Sequence, residues 1–253
     1  MVIMSSTTNW VSLQNQNQQA SQRLFCFPYA GGAASIYRDW GNKLPPNIEV
    51  CSVQLPGHGN RLREPLFKRI EPLVEAAAEA LLPYLKGSFA FFGHSMGAII
   101  SFELAHLLRS RQLPMPAHLF LSGRSAQHLV KKEAPTYDLP EPEFIEELRR
   151  LKGTPREVLQ HPELMSLISP IIRADFEVCQ TYEYTPRPPL DCPITVFGGL
   201  QDQDVPREQL EGWGEYTTSS FVLRMFQGDH FFLHNSAPTL LRIIAEEFRN
   251  IPR

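Results

Sequence analysis

The stretch Phe89 to Glu103, FAFFGHSMGAIISFE, constrains this chain more than any other. An apolar run, Phe89 to Phe92, meets Gly93-His94-Ser95-Met96-Gly97, and a helix-compatible run from Ala98 to Leu108 follows without a linker. That order is strand, sharp turn, helix. The turn has the form Gly-x-Ser-x-Gly. A serine on so tight a turn has strained backbone angles, and side chains two residues to either side would collide with it; Gly93 and Gly97 remove both clashes. The expected geometry lifts the Ser95 hydroxyl above a sheet. It also leaves the Met96 amide at a helix N-terminus, able to donate to a developing oxyanion.

The rest of the chain reads as strands alternating with helices. Arg23 to Pro28 (RLFCFP), Ile48 to Val53 (IEVCSV), Ala117 to Ser122 (AHLFLS), Pro193 to Phe197 (PITVF) and Ser220 to Phe226 (SFVLRMF) are short apolar runs bounded by turn residues. Between Glu71 and Lys86 the apolar residues Leu73, Val74, Ala77, Leu81, Leu82 and Leu85 recur at helical spacing, with Pro72 in the first turn, and Leu240 to Phe248 makes a terminal helix. Such a rhythm implies a mostly parallel sheet covered on both faces, an α/β fold. It breaks between about Ser125 and Pro189, where Glu143 to Leu151 and Pro162 to Tyr182 read as helices with apolar stripes. An insertion there, residues 125–189, is expected to form a helical lid over Ser95. Ser12 to Gln22 (SLQNQNQQASQ) is too polar to pack, so residues 1–22 are expected to form a partly mobile arm on a single domain spanning 1–253.

Composition narrows the partners. A 253-residue chain, 43% hydrophobic and 20% charged, buries a substantial core. A net charge of −3 and the lack of any Lys/Arg cluster argue against nucleic acid or anionic membrane. There is no apolar run of the roughly 20 residues that would span a bilayer, and MVIMSSTTNW lacks the pattern of a secretory signal, so a cytoplasmic location is expected. Cys26, Cys51, Cys179 and Cys192 show no Cys-x-x-Cys pair or metal-like spacing, and in a reducing compartment they are small core residues.

A serine needs a general base to become a nucleophile, and the base needs an acid to fix its tautomer. In the α/β-hydrolase arrangement these follow in the order Ser, acid, His, each in a loop after a strand. His230 lies four residues beyond the last strand and beside Gly228; His234 is farther on and reads as structural, as does His94 on the turn itself. For the acid, Asp202 in the compact turn Gly198-Gly199-Leu200-Gln201-Asp202 is preferred over Asp204, with Asp229, adjacent to His230, third. The small-residue loop Tyr29 to Ala34 follows an early strand, where a second oxyanion amide often lies, making Ala30 a candidate. His58, in the Pro/Gly-rich loop Gln54 to Arg61, is expected to be solvated.

The strings FPYAGG (Phe27 to Gly32), QLPGHGNR (Gln54 to Arg61), FFGHSMGA (Phe91 to Ala98), FGGLQD (Phe197 to Asp202) and DHFFL (Asp229 to Leu233) resemble the external type II thioesterases of nonribosomal peptide and polyketide synthases. The medium-chain thioesterase of animal fatty acid synthesis is similar. The likeness runs from Trp10 onward and includes EFIEELRRLKGTP and ELMSLISPIIRADF, which resemble that family's cap helices. It implies Ser95 as nucleophile, Asp202 as acid, His230 as base and the Met96 and Ala30 amides as oxyanion hole, in agreement with the reading of the residues. Two loops depart from the family pattern: His58 stands where arginine is usual, and Ser125-Ala126-Gln127 lacks a proline after alanine.

The expected activity is hydrolysis of acyl thioesters on acyl or peptidyl carrier domains bearing phosphopantetheine, with no metal or diffusible cofactor. The same triad would serve an oxygen-ester hydrolase or an acyltransferase, and a catalytically silent carrier-binding partner is the reading from a different class.

Overall fold

The computed structural model describes residues 9–13, 20–130 and 134–251. Most of the expected N-terminal arm, and residues 131–133 of the insertion, lie outside that set.

Seven strands form one sheet in the order β1-β3-β2-β4-β5-β6-β7. They are β1 (Val11–Leu13), β2 (Gln22–Phe27), β3 (Ile48–Val53), β4 (Ser88–His94), β5 (His118–Ser122), β6 (Ile194–Gly199) and β7 (Phe221–Phe226). From β3 to β7 every pairing is parallel. Six of the seven were legible as apolar runs. The exception is β1, which lies partly in the stretch expected to be an unpacked arm. Its Val11 and Leu13 pair antiparallel with Val53 and Cys51 of β3. Just before it, the Trp10 carbonyl accepts the Gln54 amide at 2.8 Å, and the Trp10 ring lies 4.9 Å from the Arg61 guanidinium. Backbone pairing and one cation–π contact fix this segment where its own composition would not.

Alternation along the strands splits the core into two layers. Phe25, Phe27, Phe89 and Phe91 point to the face covered by α1 (Ile70–Leu81) and α2 (Met96–Ser110). Leu24, Cys26, Ala90 and Phe92 point to the face covered by Tyr37, Trp40 and α8 (Ala237–Asn250). The first helix stops earlier than its apolar spacing predicts, because Pro83 has no amide hydrogen to continue the helical ladder, and only a short 3-10 turn, Leu82–Tyr84, follows.

Between β5 and β6 the chain leaves the sheet for α3 (Glu141–Leu151), the single turn α4 (Arg156–Leu159) and α5 (Pro162–Thr181). Phe144, Leu148, Leu159, Met165 and Ile172 give these helices a small core of their own. Salt bridges from Lys68 and Arg69 to Glu177 on α5 tie them to the body. Short α6 (Arg207–Glu211) and α7 (Phe232–Asn235) follow β6 and β7.

All four cysteines are free. Burial pushes the thiols of Cys179 and Cys192 up to about 12, and it raises those of Cys26 and Cys51 as well.

Candidate active site

Parallel strands end together, so the loops after β2, β3, β4, β6 and β7 gather at the carboxyl edge of the sheet, where open α/β sheets place their sites. β4 enters the elbow there. Ser95 has φ 53° and ψ −111° and is the N-cap of α2, and its amide donates to the Ser122 carbonyl at the end of β5 at 2.7 Å. A Cβ on Gly93 would sit 1.9 Å from the Gly97 carbonyl oxygen, and one on Gly97 would sit 2.2 Å from that of Phe27. Both neighbours are backbone, so neither can yield cheaply. Gly97→Ala should therefore cost about 3 kcal/mol, read as a fall in the urea midpoint; an unchanged midpoint would show that the elbow has slack.

The loop after β6 holds the acid. Asp202 Oδ2 accepts from His230 Nδ1 at 2.7 Å, and its other oxygen accepts from the amides of Asp204 and Val205 at 3.0 and 3.2 Å. The Asp202 side chain is almost wholly buried, and that of His230 is about one-fifth exposed. Asp204 turns away to an exposed pair with Arg150 of α3 at 2.7 Å. Asp229 accepts from the Phe231 amide at 3.1 Å, closing its own turn. Of the three candidate carboxylates, only Asp202 reaches the histidine.

Ser95, His230, Ala30 and His58 line one cavity of about 540 Å³, roofed by Leu148, Val158, Ile168 and Ile172 of the insertion. Ser95 and His230 share this cavity without a hydrogen bond between them, as is common before substrate is bound. The Met96 side chain is buried in the core, and its amide lies in the first turn of α2, where helical amides have no intrahelical partner. Gly153, after α3, packs so closely that a Cβ there would meet the Phe231 ring at 2.6 Å.

The other histidines differ in role. His94 is fully buried, with Nδ1 2.9 Å from Ser122 Oγ and its ring centroid 5.1 Å from that of His230. Burial, then the nearby His230 and His234, hold it well below the ordinary imidazole value, so it packs uncharged behind the site. His234 Nε2 pairs with the Tyr29 hydroxyl at 3.2 Å. The expectation for His58 fails: it is only 3% exposed, because Asp175 of α5 meets its ring at 2.8 Å. That partner is far away in sequence, and no local signal announced it.

A sheet of this order, with a serine on a strand-to-helix elbow and an Asp–His pair in the loops after β6 and β7, defines an α/β-hydrolase. A family model for the thioesterase domain matches residues 22–248, and the chain belongs to that family. It is 45% identical over 249 residues to the gramicidin S biosynthesis protein GrsT of Aneurinibacillus migulanus, covering 98% of this chain and 97% of that one. It is 46% identical over 242 residues to a Brevibacillus parabrevis protein named linear gramicidin dehydrogenase LgrE, covering 94% and 92%. Among solved structures, the RedJ thioesterase of the prodiginine pathway in Streptomyces coelicolor superposes with a TM-score of 0.85 at 42% identity, covering 90% of this chain and 86% of that one. Despite the dehydrogenase name of one relative, no Gly-x-Gly-x-x-Gly dinucleotide fingerprint occurs anywhere in this sequence. Among the described residues no helix is long and apolar enough to cross a membrane, and no group of three or more metal-ligating side chains occurs.

Proposed function

We propose that this thioesterase hydrolyses acyl thioesters carried on the phosphopantetheine arm of acyl or peptidyl carrier domains, serving a peptide, polyketide or fatty-acid synthase in the cytoplasm. The observation that carries the reading is the His230–Asp202 pair, 2.7 Å apart, opening onto the cavity that also holds Ser95.

In the acylation step Ser95 Oγ forms a bond to the acyl carbonyl carbon while His230 Nε2 takes its proton. The carbonyl oxygen becomes an oxyanion held by the Met96 and Ala30 amides. The C–S bond then breaks, and the pantetheine thiol leaves with the proton from His230. Water enters, gives a proton to the same nitrogen and attacks the acyl-enzyme; collapse returns that proton to Ser95 and releases the carboxylic acid. Asp202 stays ionised and holds the Nδ1–H tautomer throughout. The aliphatic roof supplied by residues 125–189 acts as a lid that shelters an apolar acyl group from water.

Relative turnover of acyl-carrier protein, acyl-coenzyme A and simple oxygen esters tests the substrate class. The carrier thioester should be the preferred substrate; faster hydrolysis of esters would point to an esterase, and acyl release only in the presence of an acceptor would point to a transferase. A fluorophosphonate should label Ser95, and absence of labelling would favour a silent carrier-binding role.

A further inference from the structure

One buried pair of charge-bearing side chains lies beside the site without entering the reaction. His58, in the loop after β3, and Asp175, on α5, are each 3% exposed. His58 Nε2 lies 2.8 Å from Asp175 Oδ2, and Nδ1 lies 2.9 Å from the Pro56 carbonyl oxygen. A carbonyl can only accept, so Nδ1 carries a proton. The same Asp175 oxygen also accepts the Gly31 amide at 2.7 Å, so Oδ2 is shared by Nε2 and the Gly31 N–H. An imidazolium beside a carboxylate satisfies every partner, with Nδ1 donating to Pro56 and Nε2 to Asp175. Burial lowers the pKa of His58, but the hydrogen bond and charge of Asp175, then the Pro56 carbonyl, outweigh it and hold the group above 6.5. The other ionisable groups nearby do not compete: Arg61 and Glu64, on the same loop, pair with each other, and the Cys179 thiol, near Asp175 and Arg124, is held neutral.

The third partner gives this pair a consequence. Gly31 has φ +75°, and a Cβ there would meet Ile172 of α5 at 2.9 Å. Its turn is closed by the Gly32 amide on the Tyr29 carbonyl at 2.9 Å, and it contains Ala30. The far side of the same loop is tied to the loop after β3, from the Ala34 amide to Gln54 Oε1 at 3.1 Å. We propose that Asp175, paired with His58, is a positioning residue: it fixes the Gly31 peptide so that the adjacent Ala30 amide is aimed at the oxyanion, and it does so only while α5 is seated on the site. This rests on the thioesterase reading above. The pair thus couples lid position to oxyanion stabilisation.

The test compares Asp175→Ala, Asp175→Asn and His58→Arg with the native chain, using kcat and KM on an acyl-carrier thioester and the thermal midpoint of each variant. Asp175→Ala should lower kcat by about 10- to 100-fold, short of or just reaching the loss expected for deleting an oxyanion donor, with KM within about threefold of native. Asp175→Asn keeps an acceptor for Gly31 and should lose less. His58→Arg keeps a cationic donor beside Asp175 and should lose less kcat than Asp175→Ala does. A folded Asp175→Ala with native kcat, or a folded His58→Arg with the full kcat loss of Asp175→Ala, would each overturn the proposal. So would equal kcat losses in the two Asp175 variants that simply follow their thermal midpoints. The rate of fluorophosphonate labelling of Ser95 uses the oxyanion hole without any thioester and should show the same losses, so the proposal stays testable if the substrate assignment fails.

Discussion

Ser95→Ala should yield a folded protein that hydrolyses acyl thioesters about a million-fold more slowly than the native chain. The fold survives because the elbow is held by backbone: the Ser95 amide donates to Ser122, and the two flanking glycines provide the space. Alanine tolerates the positive φ no worse than serine does, since both carry a Cβ. What disappears is the proposed nucleophile. His230→Ala should be comparably severe, and the double variant hardly worse than either single one, because nucleophile and base act as a unit. Single-turnover release of acid from an acyl-carrier thioester, beside a thermal melt, measures both. Residual activity within about tenfold of native in folded Ser95→Ala would sink the assignment of the nucleophile.

Asp202→Asn should cost about four orders of magnitude in kcat. The reason lies in which atoms Asp202 serves. One oxygen accepts the amides of Asp204 and Val205, so the asparagine oxygen stays there and its NH2 group faces His230. The imidazole must then present a lone pair at Nδ1 and carry its proton on Nε2, where it cannot accept one from serine. Asp204→Asn removes only an exposed pair with Arg150, worth about 0.2–1 kcal/mol of stability, and should leave kcat within about threefold. Paired measurements of kcat and denaturation midpoint separate the two, and the reverse ranking would move the acid to Asp204.

The residues proposed for the site were legible because the loops that follow strands carry them. Ser95, Asp202 and His230 each sit in a loop after an apolar run, and the glycines beside them mark tight turns. What escaped depends on partners remote in sequence. Nothing near His58 announces Asp175, 117 residues away, so a loop histidine in a Pro/Gly-rich segment read as solvated. The strand Val11–Leu13 escaped for a related reason: β3 supplies its order through backbone pairing, which leaves little trace in side-chain pattern. The short turn Arg156–Leu159 is too brief to show periodicity.

The cysteines carry a further chemical consequence. A thioester exchanges readily with any accessible thiolate, so a protein that holds such substrates risks acylating itself. With Cys179 and Cys192 pushed up to about 12, their thiolate fraction near neutral pH is on the order of one in 10⁵. The cavity wall contains no cysteine at all. Inside it a thioester meets hydroxyls and imidazole but no competing sulfur, so the acyl group is not diverted to a sulfur from which it could be passed back to another thiol.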